Sequence, residues 1–79
     1  MIRYRSNIIS EKDLKIETDR YWDEEGKRVE VVKLIMISTS LEVTFCSYKG
    51  QLDAYNSALR KLENKYKECF QKEEESSGI

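Results

Sequence analysis

The 79-residue chain contains no histidine and no proline. The absence of histidine excludes Ser-His-Asp and Cys-His catalysis, and it removes both the commonest metal ligand and the usual pH switch near neutrality. A chain of this size also has too small a core to enclose a dry pocket with ease. We therefore expect a non-enzymatic protein with no catalytic residue, no metal site and no cofactor.

Cysteine and long apolar runs are scarce. Cys46 and Cys69 lack the CxxC spacing of a zinc site, and we expect two reduced, at least partly buried thiols, unless their Cα atoms approach within about 7 Å for a disulfide. The longest uncharged apolar run, residues 34–37, is far below the ~18 residues of a membrane helix. The start MIRYRSNIIS is too short in its apolar part for a signal peptide. These features favour an intracellular, cytoplasmic protein without a membrane partner.

Charge of neither sign dominates the sequence. Fourteen Lys and Arg residues stand against fifteen Asp and Glu residues, which leaves a formal net charge of −1. A balanced charge gives no general attraction to nucleic acid, so a nucleic-acid partner is possible but not favoured. The apolar residues are grouped and periodic, which predicts a single folded domain over residues 1–75 and a disordered tail over 76–79.

Apolar residues alternate with polar ones in four segments, residues 1–10, 14–22, 29–38 and 41–46. This period of two is typical of β-strands. The charged segment Asp23–Lys27 contains Gly26, which predicts a hairpin between the second and third strands. The third segment is apolar on both faces, as a central strand is, although a strand with one covered face and ordinary exposed aliphatics fits it equally well.

From about Tyr48 the apolar period changes to that of a helix. The spacing predicts a helix over residues 48–72 with Ser47 as its N-cap, and the apolar positions are Leu52, Tyr55, Leu59, Leu62, Tyr66 and Cys69. Together these elements predict an α+β fold, ββββα, in which a four-stranded antiparallel meander packs against one long C-terminal α-helix.

The predicted helix is longer than the predicted strands. At about 1.5 Å per residue it spans roughly 37 Å, against roughly 26 Å for a strand of eight residues. The end with Tyr66 and Phe70 would then lack a floor, and such an uncovered stripe is typical of an interface. We expect docking to another protein or a homodimer through residues 52–70. A tilted helix or longer strands would instead cover the stripe.

The hairpin is preceded by Arg20-Tyr21-Trp22. Neighbouring strand residues face opposite sides, so Tyr21 and Trp22 cannot both lie in a one-sided core. Tyr, Trp and Arg dominate binding hot spots. The alternative is that Trp22 closes the core and Tyr21 pairs across the strands. The main prediction is a protein-docking module of the adaptor or inhibitor type, with Tyr21, Trp22, Tyr66 and Phe70 as its partner-binding residues.

Part of the chain carries a resemblance, through Ile2-Arg3-Tyr4, Leu14-Lys15-Ile16-Glu17, Arg20-Tyr21-Trp22-Asp23 and Gly26. It resembles the single-stranded-DNA-binding domain of transcription coactivators of the positive-cofactor-four type, although the Lys-Gly-Ile-x-Leu run of that family is replaced by residues 32–37. The resemblance implies an alternative function, binding of single-stranded nucleic acid through Arg3, Arg5, Arg20 and Trp22. Cross-strand charge pairing is the simpler interpretation of the basic residues.

Overall fold

The computed structural model describes residues 3–70, which form an α+β fold. A 3-10 turn at Glu11–Asp13 precedes three strands and one helix: β1 (Leu14–Trp22), β2 (Arg28–Met36), β3 (Glu42–Ser47) and α1 (Gln51–Phe70). The sheet is an antiparallel meander of order β1-β2-β3, so β2 is central, as its apolar pattern predicts. The predicted tail over 76–79 lies outside the described residues.

The register of the strands sorts the sheet into two faces. Ile16 on β1 pairs with Leu34 on β2, and Leu34 pairs with Val43 on β3. These three residues, and every second residue along each strand, lie on the face of the sheet that is turned toward α1. The remaining side chains of each strand lie on the opposite face, which α1 does not contact. The core lies between the sheet and α1, and its buried members are Ile9, Val32, Leu34, Met36, Val43, Ala54, Tyr55, Ala58, Leu59 and Leu62.

The predicted N-terminal strand is not present in residues 3–10, so the expectation of four strands is not confirmed. This segment lies against the helix. The Tyr4 N–H donates to Asn56 Oδ1 at 2.8 Å, the Tyr4 hydroxyl donates to Glu63, and the Ser6 hydroxyl donates to the same carboxylate at 2.6 Å. The Ile9 N–H donates back to Ser6 Oγ, which turns the chain. The apolar alternation therefore reflects packing on a helix instead of pairing in a sheet.

The helix begins later than predicted, at Gln51, because Gly50 has a φ of 119°, a conformation that L side chains rarely adopt. Ser47 is consequently the end of β3 and not an N-cap. Its hydroxyl donates to Asp53 Oδ2 at 2.5 Å and accepts from the Lys49 N–H at 3.0 Å. Ser47 thus ties the end of the sheet to the first turn of the helix.

Most of the apolar stripe of α1 is covered within one molecule. Tyr55, Leu59 and Leu62 are buried against the sheet. The helix has 20 residues and the two longer strands have nine each, so both span roughly 30 Å. The uncovered end predicted for Tyr66 and Phe70 is present only in part, because Tyr66 is partly buried against the core while Phe70 is 53% exposed.

Both cysteines are free and exposed, so the expectation of partly buried thiols is wrong. Cys46 pairs with Val31 on the sheet face away from α1, and Cys69 lies in the last turn of the helix. Within residues 3–70, no helix combines the length and apolar character needed to span a membrane. Among residues 3–70, no group of three or more Cys, Asp or Glu side chains lies close enough together to hold a metal ion.

Candidate functional site

The edge strand β1 is the most exposed element of the sheet. The helix packs on β2 and β3, and every residue of β1 after Leu14 is exposed. Ile16 and Thr18 face the helix side but meet only an open groove of about 260 Å³, which Leu52 and Tyr55 line from the helix. Because neither face of β1 is covered, side chains on both faces are available to a partner.

Three aromatic rings are exposed together where β1 ends. Tyr21 is 47% exposed on the face away from α1, and Trp22 is 62% exposed on the other face. The alternation of strand residues predicted that at least one of these two side chains is exposed, and both are exposed in the structure. Tyr48, directly after β3, is 64% exposed. We call Tyr21, Trp22 and Tyr48 the hairpin-end cluster.

The turn beside this cluster is held by one carboxylate. Asp23 Oδ1 accepts the N–H groups of Glu25 and Lys27, each at 2.9 Å. The backbone adds two hydrogen bonds, from the Asp23 N–H to the Lys27 carbonyl and from the Gly26 N–H to the Asp23 carbonyl, each at 3.0 Å. Gly26 has the positive φ, 80°, that its position in the hairpin predicted. The turn is therefore a rigid base for the neighbouring rings.

Tyr48 is fixed to the same carboxylate, although it is distant in sequence. Its hydroxyl donates to Asp23 Oδ2 at 2.9 Å, which joins the end of β3 to the end of β1. This hydrogen bond raises the pKa of Tyr48 above its ordinary value, and the negative charge of Asp23 adds to the effect. The N–H donors of the turn, that of Lys27 foremost, lower the pKa of Asp23. The acceptor therefore stays charged and the phenol stays neutral near pH 7.

The link between Tyr48 and Asp23 crosses the start of the central strand. Val29 lies there, directly opposite Tyr21, and it is only 1% exposed although it faces away from the helix. A residue on the uncovered sheet face can be this well buried only beneath neighbouring side chains. Val29 is therefore a small buried apolar site beside Tyr21, separate from the main core.

Two hollows adjoin the hairpin-end cluster. The larger, about 650 Å³, is lined by Tyr48 and the charged turn from Asp23 to Lys27. The smaller, about 470 Å³, is lined by Trp22, Lys27, Arg28 and Tyr48 with Gly26. Both are wide and open to solvent, unlike the enclosed clefts that bury a small substrate. Shallow hollows lined by aromatic and charged side chains are more typical of a docking surface than of a catalytic pocket.

A buried carboxylate supports the same end of the sheet from the helix side. Glu30 is 4% exposed, and its side chain accepts from Arg20 Nε at 2.9 Å and lies 3.4 Å from Arg28 Nε. Arg20 and Arg28 flank Glu30 on β1 and β2, and both are half exposed. The charge of Arg20 is thus engaged within the protein.

The structure separates the four predicted partner-binding residues into two pairs. Tyr66 and Phe70 stack in the last turns of α1, with ring centroids 5.0 Å apart, and Phe70 is 53% exposed. Asp53 contacts Ser47, whereas the Lys65 ammonium donates to the Glu42 carbonyl, so α1 runs antiparallel to β3. The Tyr66–Phe70 pair therefore lies at the opposite end of the sheet from Tyr21 and Trp22. One partner patch cannot contain all four.

Of the residues predicted to bind nucleic acid, Arg20 and Trp22 lie on the helix side of β1, and Arg3 lines the groove on the same side. Arg3 lies over the Tyr55 ring at 4.8 Å and 3.4 Å from Glu11. Arg5 follows in the N-terminal segment, which packs beside the helix and carries no strand. Arg20 is bound to Glu30. Trp22 is 62% exposed. Arg3 and Arg20 are thus engaged in contacts within the protein, and Arg3 and Arg5 lie outside the sheet.

Tyr48 is the site residue that the sequence analysis missed. It was assigned to the predicted helix, because the change in period begins near it. Its following residues, Lys49 and Gly50, contain the signal that could have separated it, since glycine before a helix marks a turn. The hydrogen bond to Asp23 spans 25 positions and has no local signature in the sequence.

Comparisons with models of known protein families, with curated proteins and with solved structures found no significant match to this chain.

Proposed function

We propose that this chain is a non-enzymatic protein-docking module, of the adaptor or inhibitor type, that binds its partner through the hairpin-end cluster. The observation that carries the proposal is the joint exposure of Tyr21, Trp22 and Tyr48 at one end of the sheet. Exposed rings of this kind cost free energy in water unless a partner covers them, and Trp and Tyr are enriched at the energetic centres of protein interfaces.

Rigidity supports this choice of surface. Asp23 holds both the turn and Tyr48, so the Tyr48 ring loses little conformational freedom when a partner arrives. Charged side chains border the cluster, with Glu24 and Glu25 on one side and Arg28 on the other. An aromatic centre with a charged rim is the usual composition of a specific interface.

The proposal also covers the oligomeric state of the protein and its cellular compartment. A homodimer through residues 52–70 could use Tyr66 and Phe70 at the end of α1, because Leu59 and Leu62 are already buried in the core. We therefore treat the pair at the end of α1 as a secondary surface. The two free, exposed cysteines favour a reducing, intracellular compartment.

The test compares the two exposed ends of the molecule with matched variants. Trp22→Ala removes the most exposed ring of β1, and Phe70→Ala removes a similarly exposed ring from the end of α1. Each variant and the wild type would be used as bait in lysate of the native host, with bound proteins quantified by mass spectrometry. We expect a partner whose recovery falls at least about tenfold with Trp22→Ala and not with Phe70→Ala, since a hot-spot ring contributes about 2 kcal/mol or more.

Circular dichroism and thermal unfolding of both variants serve as the control. Because both rings are exposed, neither substitution should change the helix signal or the melting temperature appreciably. If no protein depends on Trp22 for recovery while the variant stays folded, the proposal is wrong. Recovery that depends on Phe70 instead would move the docking surface to the end of α1.

A second candidate, binding of single-stranded nucleic acid, is favoured by one observation. Trp22 pairs directly with Arg28, and Lys27 lines the same hollow, so an exposed indole shares this hollow with two cations. Such an arrangement can stack a base and hold its phosphate. Titration of the tryptophan fluorescence with oligonucleotides at low and moderate salt tests it, and unchanged fluorescence at low salt would exclude it.

A further inference from the structure

The outer edge of β1 presents a short row of free backbone groups whose identity follows from the hydrogen bonds at its two ends. The Ile37 N–H donates to the Asp13 carbonyl at 2.7 Å, and the Asp23 N–H donates to the Lys27 carbonyl at 3.0 Å. Hydrogen-bonded pairs alternate in an antiparallel ladder, so the odd-numbered residues of β1 bond to β2. The N–H and C=O groups of the even-numbered residues must then point outward.

Local contacts close this row at both ends. The Leu14 N–H donates to the Glu11 carbonyl of the 3-10 turn, and the Arg20 N–H donates to Asp19 Oδ1 at 2.7 Å. Between these two, the outward N–H and C=O groups of Ile16 and Thr18 have no protein partner in the described structure. The edge therefore offers a window of two residues, four groups in all, for an added strand.

We propose that this window binds the same window of a second copy of the chain, so that two β1 strands pair antiparallel about a two-fold axis at Glu17. Ile16 of one copy then lies opposite Thr18 of the other, and each such pair exchanges two hydrogen bonds. All four free groups of each copy are satisfied, and the two three-stranded sheets become one sheet of six strands.

Charge complementarity indicates that the strand added to this edge is β1 of a second copy of the chain. On the sheet face away from α1, the register about Glu17 places Lys15 of each copy opposite Asp19 of the other. Both side chains are exposed, and Asp19 keeps its second oxygen free while the first accepts the Arg20 N–H. Two opposite-charge pairs across the strands thus form by symmetry. At the axis the two Glu17 carboxylates face each other, and Lys15, 3.6 Å from Glu17 in its own chain, offsets their repulsion.

The neighbouring registers fit less well. A shift to an axis at Thr18 brings Glu17 opposite Asp19 of the other copy twice, and it requires the Arg20 N–H, which is already engaged. A shift to an axis at Ile16 requires the engaged Leu14 N–H. A shift of the pairing by one residue would set odd-numbered residues, whose N–H and C=O groups bond to β2, opposite the free even-numbered ones, so the free groups would not meet. The axis at Glu17 alone uses only free groups and pairs opposite charges.

Complementary charge reversals test the interface and its register together. Lys15→Glu places two acids opposite each other twice, and Asp19→Lys does the same with two cations. Sedimentation velocity over a concentration series should show wild-type dimers, and each variant alone should have a dissociation constant raised at least about tenfold, since two attractive pairs become repulsive. An equimolar mixture of the two variants restores both opposite-charge pairs and should associate like the wild type.

Three variants on α1 serve as controls for the proposed interface at β1. Lys61→Glu and Glu68→Lys make the same charge changes at exposed positions of α1 and should leave the dissociation constant unchanged. Phe70→Ala should do likewise. A wild-type chain that stays monomeric into the high micromolar range overturns the proposal, as does a mixture that associates no better than its components. Dimers that are lost with Phe70→Ala and kept with Lys15→Glu would assign the interface to α1 and overturn it as well.

Amide hydrogen exchange supplies a readout that does not depend on side-chain charge. In dilute protein the outward amides of Ile16 and Thr18 should exchange fast, while those of Lys15 and Glu17 are protected by β2. Raising the concentration should slow exchange at Ile16 and Thr18 alone within β1. Unchanged fast exchange at these two amides in concentrated protein would contradict the proposed pairing.

Discussion

At the scale of single residues, Glu30 shows how a charge can be kept inside a small protein. It lies on the helix side of the sheet, 4% exposed, between the side chains of Arg20 and Arg28. A buried carboxylate without partners would cost several kcal/mol, and the two guanidinium groups offset that cost while remaining half in water themselves. Glu30 is thereby kept buried at the polar end of the sheet.

We expect Glu30→Gln to lower the free energy of unfolding by about 1–2 kcal/mol, because charge-assisted hydrogen bonds are replaced by weaker neutral ones and two arginines lose their counter-charge. Urea denaturation followed by circular dichroism measures the change. Glu25→Gln is the matched control, since its contact with Lys27, at 3.4 Å, is fully on the surface. An equal effect of both substitutions would show that burial of Glu30 contributes nothing.

Asp23 and Tyr48 give the hairpin end a predictable pH dependence. The lowered pKa of Asp23 contributes stability that is complete above its unfolded value of about 3.9 and is lost as pH falls through the lower folded value. The raised pKa of Tyr48 contributes stability below about 10, which is lost as pH rises through the higher folded value. The turn should therefore be intact between these limits.

The measurement is the chemical shift of the Lys27 amide, which donates to Asp23, followed by NMR from acid to alkaline pH. Asp23→Asn should remove the acid transition, and Tyr48→Phe should remove the alkaline one. The local signal is needed because Tyr4, which donates to Glu63, also has a raised pKa and adds its own alkaline loss of stability. An alkaline transition at Lys27 that persists in Tyr48→Phe would contradict the assignment.

At the scale of elements, α1 is held by one buried stripe. Leu62 is fully buried on the sheet, whereas Leu52, near the start of the same helix, is exposed at the groove beside β1. We expect Leu62→Ala to cost about 2–5 kcal/mol through lost burial and a residual cavity, and Leu52→Ala to cost under about 1 kcal/mol. Thermal and urea unfolding measure both, and similar losses would mean that the helix packs on a different face.

The elements also show what the sequence could reveal. Strict alternation predicted β1 at its observed bounds, residues 14–22, and an apolar pattern on both faces predicted the central position of β2. The same alternation misled at the N-terminus, where Ile9 is buried and Tyr4 is partly buried against the core, with a turn at Ser6 between them. A period of two records which side chains are buried and does not record what buries them.

The candidate site was only partly predictable for a related reason. Exposure of one of Tyr21 and Trp22 followed from the alternation of a strand, a local rule. The role of Tyr48 depends on a hydrogen bond to Asp23 across the sheet, and the separation of Phe70 from Trp22 depends on the direction of α1. Both are long-range facts that no pattern within one segment contains.

At the scale of the whole molecule, function follows from what the helix leaves uncovered. Because α1 packs on β2 and β3, the edge strand β1 carries both proposed interfaces: the window at Ile16 and Thr18, and the hairpin-end cluster at its last residues. Pairing about Glu17 would place the two clusters at opposite ends of the joined β1 strands. A dimer would then present two separate docking ends, and its binding to a repeated partner would gain avidity.

The contact between Tyr4 and Glu63, which are 59 positions apart, has a consequence for how the chain assembles. The meander and the helix are neighbours along the chain, so they can form from short loops, and we expect Tyr4 to reach its acceptor only after the helix has packed on the sheet. The leading residues should therefore dock late in folding. They should also be the first to lift away in native-state fluctuations, long before the sheet itself opens.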